Sequence, residues 1–189
     1  VEAAIGRHQI VAASREIEAS DQPALVRAAS RGDREAFAHL YRLYAPMIHG
    51  ILLAHVPRDD VSDLMQDVFL AALEKVHTLR DGAAFGSWLA AIARNRARDF
   101  HKRSRSQEEL IEDLAEESHS EAEAEAARIL NVIRTLPDAY RETLILRLVE
   151  GMTGPEIAAR TGLTPGSVRV NLHRGMKLLR KKLGLEEHR

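Results

Sequence analysis

Cysteine is absent from the 189 residues. That excludes disulfides, thiolate zinc sites and thiol redox sensing, and it fits a reducing compartment. The nine histidines are scattered without a ligand spacing such as H-E-x-x-H, so no metal site is expected. No phosphate-binding loop, nucleophile elbow or metal motif is present. Acid pairs such as Glu108-Glu109 lie in a charge-dense stretch, so neither an enzyme nor a cofactor is expected. No apolar run approaches the ~20 residues that cross a bilayer, and the first residues lack a signal-peptide core. We therefore expect a cytoplasmic protein with no direct membrane insertion.

What is present is charge, unevenly placed. Lys and Arg number 27 against 28 Asp and Glu, a formal charge of -1, so the information lies in the distribution. From Arg94 to Arg105 there are six basic residues and Asp99 alone as an acid. Ser106 to Ala126 carries nine acids and no lysine or arginine. Thr164 to Leu183 carries no acid at all. In that last stretch Val168, Leu172, Met176, Leu179 and Leu183 share one helical face. Val170, Arg174, Lys177 and Lys181 point the opposite way, with Arg169, His173 and Arg180 on the flanks.

Periodicity and punctuation predict helices throughout, and nothing reads as a strand. Asp21 and Pro23 open a helix that Gly32 ends; Asp33 caps the next, which Pro46 should kink or break. Asp59 or Asp60 caps a third, with an apolar face through Leu64, Val68, Phe69 and Leu73. A loop over 80–86 leads to a helix from about Ser87 to Arg103. Beyond the acidic stretch, Ala126 to Leu136 and then Leu144, Ile145, Leu148 and Val149 continue the pattern to Gly151. Gly154-Pro155 and Pro165 open two more helices around Gly162. The expected fold is all-α: two small helical domains, over 21–104 and 127–185, joined by an acidic flexible linker over 105–126. An N-terminal extension covers 1–20 and a tail 186–189. A hydrophobic content of 45 % is ample for buried cores.

Pro155 through Val168 has helix-turn-helix grammar. Ala158 is small where two helices approach, Gly162 turns the chain, and Val168 anchors the second helix. That geometry places the first turns of the second helix in a DNA major groove. Arg169 and Arg174 then suit guanine edges or phosphates, while Lys177, Arg180 and Lys181 suit the backbone. The alternative is a solvated basic face on a packing helix, which the turn grammar disfavours. In the earlier cluster, Arg94, Asn95 and Arg98 offer phosphate and base-edge partners. Trp88, in register with Leu89 and Ile92, reads as core rather than as a base-stacking ring.

Together these segments resemble the sigma-70 family of bacterial RNA polymerase initiation factors, in its extracytoplasmic-function group. The resemblance covers about residues 22–104 and 127–184. Asp60 to Phe69 looks like the family's D-x-E-D-L-x-Q-E-V-F core-binding segment, and Phe85 to Asn95 like its F-x-x-W-L-x-x-I-A-x-N stretch. Leu136-Pro137 through Val168-Arg169 looks like its region 4 pattern. The resemblance implies two domains, region 2 and region 4, and promoter-specific initiation through -35 and -10 elements. It implies that Asp60, Asp63, Gln66, Asp67 and Phe69 face the clamp helices of the polymerase β′ subunit. Asn95 matches the asparagine that receives a base flipped from the -10 element, with Arg94, Arg98, Arg80 and Phe85 around it. Extruding that base costs a few kcal/mol. Ser167, Arg169, Val170, His173, Arg174 and Lys177 match positions that face the -35 element, and the apolar rim of that domain is expected on the β flap.

The resemblance further implies an acidic linker on the path toward the polymerase active site and RNA exit channel. An anti-sigma factor holding the two lobes is expected, with a monomer when free. Two departures stand out: Ser62 replaces the usual Glu, and Val170 stands where a polar reader is common, suiting a thymine methyl or no direct readout. The competing readings are an autonomous helix-turn-helix regulator and a sigma-like decoy that binds an anti-sigma factor. The first lacks a dimerisation element or ligand pocket; the second should lack basic readers such as Arg169 and Arg174.

Overall fold

A computed structural model describes residues 22–107 and 121–185, and among these every regular element is helical. The extension expected over 1–20, Asp21, residues 108–120 of the acidic stretch and the tail 186–189 lie outside the described residues.

Helix α1 (Gln22–Ser30) stops at Gly32, whose φ of +92° is the left-handed conformation that glycine adopts without strain. Asp33 then caps α2 (Arg34–His55), its carboxylate accepting the Glu35 and Ala36 N–H groups at 2.9 and 3.0 Å. Such a cap contributes about 1 kcal/mol. Of the kink or break expected at Pro46, the break does not occur; α2 runs through it. Leu43, Tyr44, Met47 and Ile48 around it are all buried, and their packing outweighs one missing hydrogen bond.

A 3₁₀ turn (Arg58–Asp60) precedes α3 (Val61–Lys75). Asp60 makes no side-chain capping bond, because the turn already holds it at φ -84°, ψ -11° rather than in the extended conformation of a capping residue. Val61, Leu64, Val68, Phe69 and Ala72 face inward, but Leu73, expected beside them, is exposed. The loop that follows folds into a second 3₁₀ turn at Gly82–Ala84, capped by Asp81 on the Ala83 N–H. Helix α4 (Phe85–Gln107) starts two residues before the expected Ser87 and continues past Arg103. These four helices enclose the first lobe's core, and Trp88 packs half-buried against Phe85, as expected of a core ring.

The second lobe comprises α5 (Glu121–Arg134), α6 (Asp138–Leu148), α7 (Gly154–Thr161) and α8 (Pro165–Lys182). Leu148 and Val149, expected to pack, are exposed; Leu144, Ile145 and Leu146 are buried in succession instead. A helix enclosed on every side has neighbours on every side, and α6 has them: α8 on one flank and α2 of the first lobe on the other. The lobes therefore share one apolar core. Glycines set how closely they approach. A Cβ at Gly50 would lie 2.8 Å from a Leu146 methyl, and one at Gly86 only 2.2 Å from the Arg160 carbonyl oxygen.

Candidate nucleic-acid interface

The turn before α8 is built by local chemistry. Thr153 and Glu156 form a reciprocal capping box at the start of α7. Gly162 ends that helix at φ +78°, and Thr164 caps α8 by accepting the Ser167 N–H at 3.1 Å. Val168 is 1 % exposed and Leu179 is buried, so the apolar stripe faces inward as expected. Gly175 brings α8 close to α6: a Cβ there would meet Leu144 at 3.1 Å.

The opposite face of α8 is open. Arg169, Val170, His173, Arg174 and Lys177 are exposed, and no acid among the described residues pairs with them. Ser167 is exposed as well, but its hydroxyl meets that of Thr164 at 2.9 Å, so it serves the cap. A helix presenting only positive charge, with Val170 amid it, matches the width and potential of a major groove.

The α4 cluster is less free. Asn95 is exposed, and its side-chain oxygen accepts a hydrogen bond from the Arg98 guanidinium. Arg98 also bonds the Arg94 carbonyl. Arg94 itself turns toward α6: its Nε and Nη2 grip the Glu142 carboxylate at 2.9 and 2.7 Å. Phe85 is fully buried between Tyr44 and Trp88, which leaves no ring face for a base in this conformation. Arg80 is exposed at the loop. That loop is tied down by Gln22, whose amide donates to the Gly82 and Ala83 carbonyls at 2.9 and 3.3 Å and accepts from the Tyr44 hydroxyl. Burial pushes that hydroxyl up to about 12, against the opposing field of Arg160, so it is a donor at every working pH.

On α3, Asp63, Gln66 and Asp67 are exposed on one face and Asp60 is half-buried. Burial first, then the neighbouring charges of Asp59 and Asp63, raises the Asp60 carboxyl. Phe69 is buried and stacks at 4.5 Å on Tyr41, so it supports this face rather than forming it. Leu70, 59 % exposed, stands three and four residues beyond Asp67 and Gln66 and adds an apolar spot to the acidic strip.

The seam between the lobes holds residues that sequence reasoning missed. Glu142 is 8 % exposed, and besides Arg94 it receives the His55 Nε2 at 2.7 Å. Burial would raise this carboxyl, but the His55 and Arg94 hydrogen bonds together bring it below its ordinary value. His49 meets Glu150 at 2.6 Å, and that hydrogen bond raises the imidazole, against its partial burial. The last carbonyls of α2, which a helix cannot satisfy internally, are capped by side-chain nitrogens from other elements. Arg134 bonds Leu53 and Val56, Arg141 bonds Ala54, and His101 bonds His55. Arg160 reaches the Leu43 carbonyl at 2.9 Å. A cavity of about 450 Å³ remains between the lobes, with Arg94 and Arg98 on one wall and Glu142 and Asn171 on the other.

Comparison with known proteins places both lobes. The Sigma-70 region 2 family matches residues 40–107, and the Sigma-70, region 4 family matches residues 126–179. RNA polymerase sigma factor CarQ of Myxococcus xanthus is 31 % identical over 164 residues, spanning 81 % of this chain and 92 % of that one. The ECF RNA polymerase sigma factor SigD of Mycobacterium tuberculosis is 32 % identical, spanning 85 % and 82 %. Among solved structures, CnrH in complex with the cytosolic domain of CnrY superposes with a TM-score of 0.61 at 25 % identity, covering 88 % of this chain and 99 % of that one. The sigma factor RpoE in complex with the anti-sigma factor NepR, from Bartonella quintana, gives 0.56 at 22 % identity, over 80 % and 98 %, a likeness of fold.

Proposed function

Because the chain belongs to the sigma-70 family, in its extracytoplasmic-function group, we propose that it binds core RNA polymerase in the cytoplasm as a non-enzymatic subunit and directs initiation at promoters with -35 and -10 elements. One observation carries the reading: the acid-free α8 face, with Arg169, Val170, His173, Arg174 and Lys177 exposed, stands on the lobe that matches region 4, while Asn95 is exposed on the lobe that matches region 2. Residues 21–104 act as region 2 and 127–185 as region 4, with 105–126 between them. Asp63, Gln66 and Asp67, with Asp60 behind and Phe69 beneath, meet the β′ clamp helices. The region 4 lobe reaches the β flap through its apolar rim.

The two elements lie 25 positions apart, about 85 Å of duplex at ~3.4 Å per base pair. In the described conformation α4 and α8 flank one cavity, so they cannot hold both elements at once. Promoter engagement requires the lobes to part. The 13 residues between Gln107 and Glu121 reach at most about 45 Å, and the lobes themselves must cover the rest. In the parted form Asn95 receives the extruded base, Arg94, Arg98 and Arg80 hold the strand's phosphates, and Phe85 backs the pocket from the core. An anti-sigma factor holds the protein inactive, a reading supported by the relative solved with one. Run-off transcription with core enzyme tests the proposal. Transcripts from a two-element promoter that depend on this protein are expected. Tight sequence-specific binding to duplex DNA without core, and no transcripts, would overturn it.

A further inference from the structure

We propose that Glu142 is a built-in competitor of the downstream promoter strand: it occupies the guanidinium of Arg94 in place of a DNA phosphate and latches the second lobe over the first. This rests on the initiation reading above, through the role given to Arg94.

The geometry is that of anion recognition. Arginine takes a carboxylate or a phosphate through the same two-pronged donor fork, and Glu142 fills it, with Nε and Nη2 of Arg94 both engaged. The other lobe supplies that carboxylate from 48 residues away, so the contact exists only while the lobes are closed. It is fully satisfied: His55 completes it, and no buried side-chain polar atom among the described residues lacks a partner. Glu142 faces Arg94 from α4 and His55 from α2, and Asp138 and Arg98 stand on the same cavity.

Glu142 does not act alone, which makes closure a discrete state rather than a single ion pair. His49–Glu150 lies two helical turns away along the same α2–α6 contact. Arg134, Arg141 and Arg160 donate across the seam to carbonyls of α2. Gly50, Gly86 and Gly162 let the backbones meet; a Cβ at Gly162 would lie 2.8 Å from that of Ser87. Closed, the α4 reader is occupied and the α8 reader is not. Removing the carboxylate leaves the half-buried Arg94 guanidinium without its counter-ion and the His55 Nε2 without its hydrogen-bond partner, which disfavours the closed form strongly. The affinity of the open form's ligand rises by the factor that closure had withheld.

The test uses the full chain and a fluorescein-labelled random-sequence single-stranded DNA 12-mer, with small-angle scattering to read closure. Glu142→Ala is expected to enlarge the radius of gyration and to tighten DNA binding by about tenfold or more. Adding Arg94→Ala should keep the lobes open and abolish the gain. Glu142→Gln, which keeps the side chain's shape, should move both readings in the same direction and decides the matter if the alanine variant loses helical circular dichroism. An unchanged radius overturns the latch. Opening without tighter DNA binding, or a gain that survives Arg94→Ala, overturns the competition. Wild-type protein that yields no transcripts with core enzyme overturns the initiation reading instead, whatever the scattering shows.

Discussion

Gly86→Ala loads the seam at its tightest point. Gly86 lies in the first turn of α4, where alanine is the better helix former by about 1 kcal/mol, so helix propensity alone favours the substitution. Its new Cβ, however, would stand 2.2 Å from the Arg160 carbonyl oxygen, where ordinary contact begins at 3.4 Å. The difference, 3.4 - 2.2 = 1.2 Å, has to come from the end of α7, because that obstacle is backbone. Tyr44 Cε1, at 2.9 Å, belongs to a ring that must also yield. Moving α7 away strains the Arg160 bond to the Leu43 carbonyl as well. Overpacking of this kind costs about 1–3 kcal/mol, which shifts the balance of closed and open forms about 5- to 150-fold. Small-angle scattering on the full chain should show a larger radius of gyration, while circular dichroism keeps its helical signal. An unchanged radius, with unchanged thermal stability, would refute the close α4–α7 approach and with it the account of the seam. Gly162→Ala is a poorer probe, since its φ of +78° adds backbone strain to any steric effect.

Other perturbations separate the remaining surfaces. Asn95→Ala should impair promoter opening, read by permanganate reactivity of unpaired thymines, while core binding on native gels stays intact; equal loss of core binding would make Asn95 structural. Lys177→Ala should weaken binding of the holoenzyme to -35 duplex uniformly across sequences and lower the salt slope of log K by about 1, and a change in sequence preference instead would assign it a base. The raised imidazole of His49 predicts a pH dependence of closure. Its folded value lies above the ordinary 6.5, so its contribution is whole below pH 6.5 and is lost as the pH rises through the folded value. Glu150 and Arg58 are the charges that set it. Scattering should therefore show expansion as the pH is raised from 6.5 through that folded value, and His49→Gln should flatten that response; an equal response in the variant would place the titration elsewhere.

The parts of this fold that were legible in the sequence are those whose cause is local. Asp33, Gly162 and the α8 stripe each act within one or two helical turns, and the structure returns them as read, while the Thr164 cap on α8 is an addition. Pro46 did not end its helix because a local rule met a non-local answer, the packing of α2 on helices of both lobes. Asp60 misled because a preceding 3₁₀ turn changed its backbone. The seam was not legible: His55–Glu142, His49–Glu150 and the Arg160 bond to Leu43 join residues 87, 101 and 117 apart, with no periodicity to announce them. One trace was available. Leu144, Ile145 and Leu146 in succession exceed a single amphipathic face, and that excess marked α6 as a helix with two neighbours rather than one. Among the candidate site residues, the exposed basic face of α8 and the acidic strip of α3 stand where the pattern put them. Phe85 and Phe69 lie inside, packed on Tyr44 and Trp88 and on Tyr41 respectively.

The open face of α8 imposes an order in time. With the lobes closed, Arg169, Arg174 and Lys177 already meet solvent, whereas Arg94 is engaged. Upstream duplex can be sampled through the screened, sequence-tolerant attraction of a few positive charges, with rapid arrival and rapid departure. The single strand downstream is admitted only after the molecule has come apart. On the proposed latch, duplex search and strand capture become successive rather than simultaneous acts, and the second waits on the parting of the lobes rather than on diffusion.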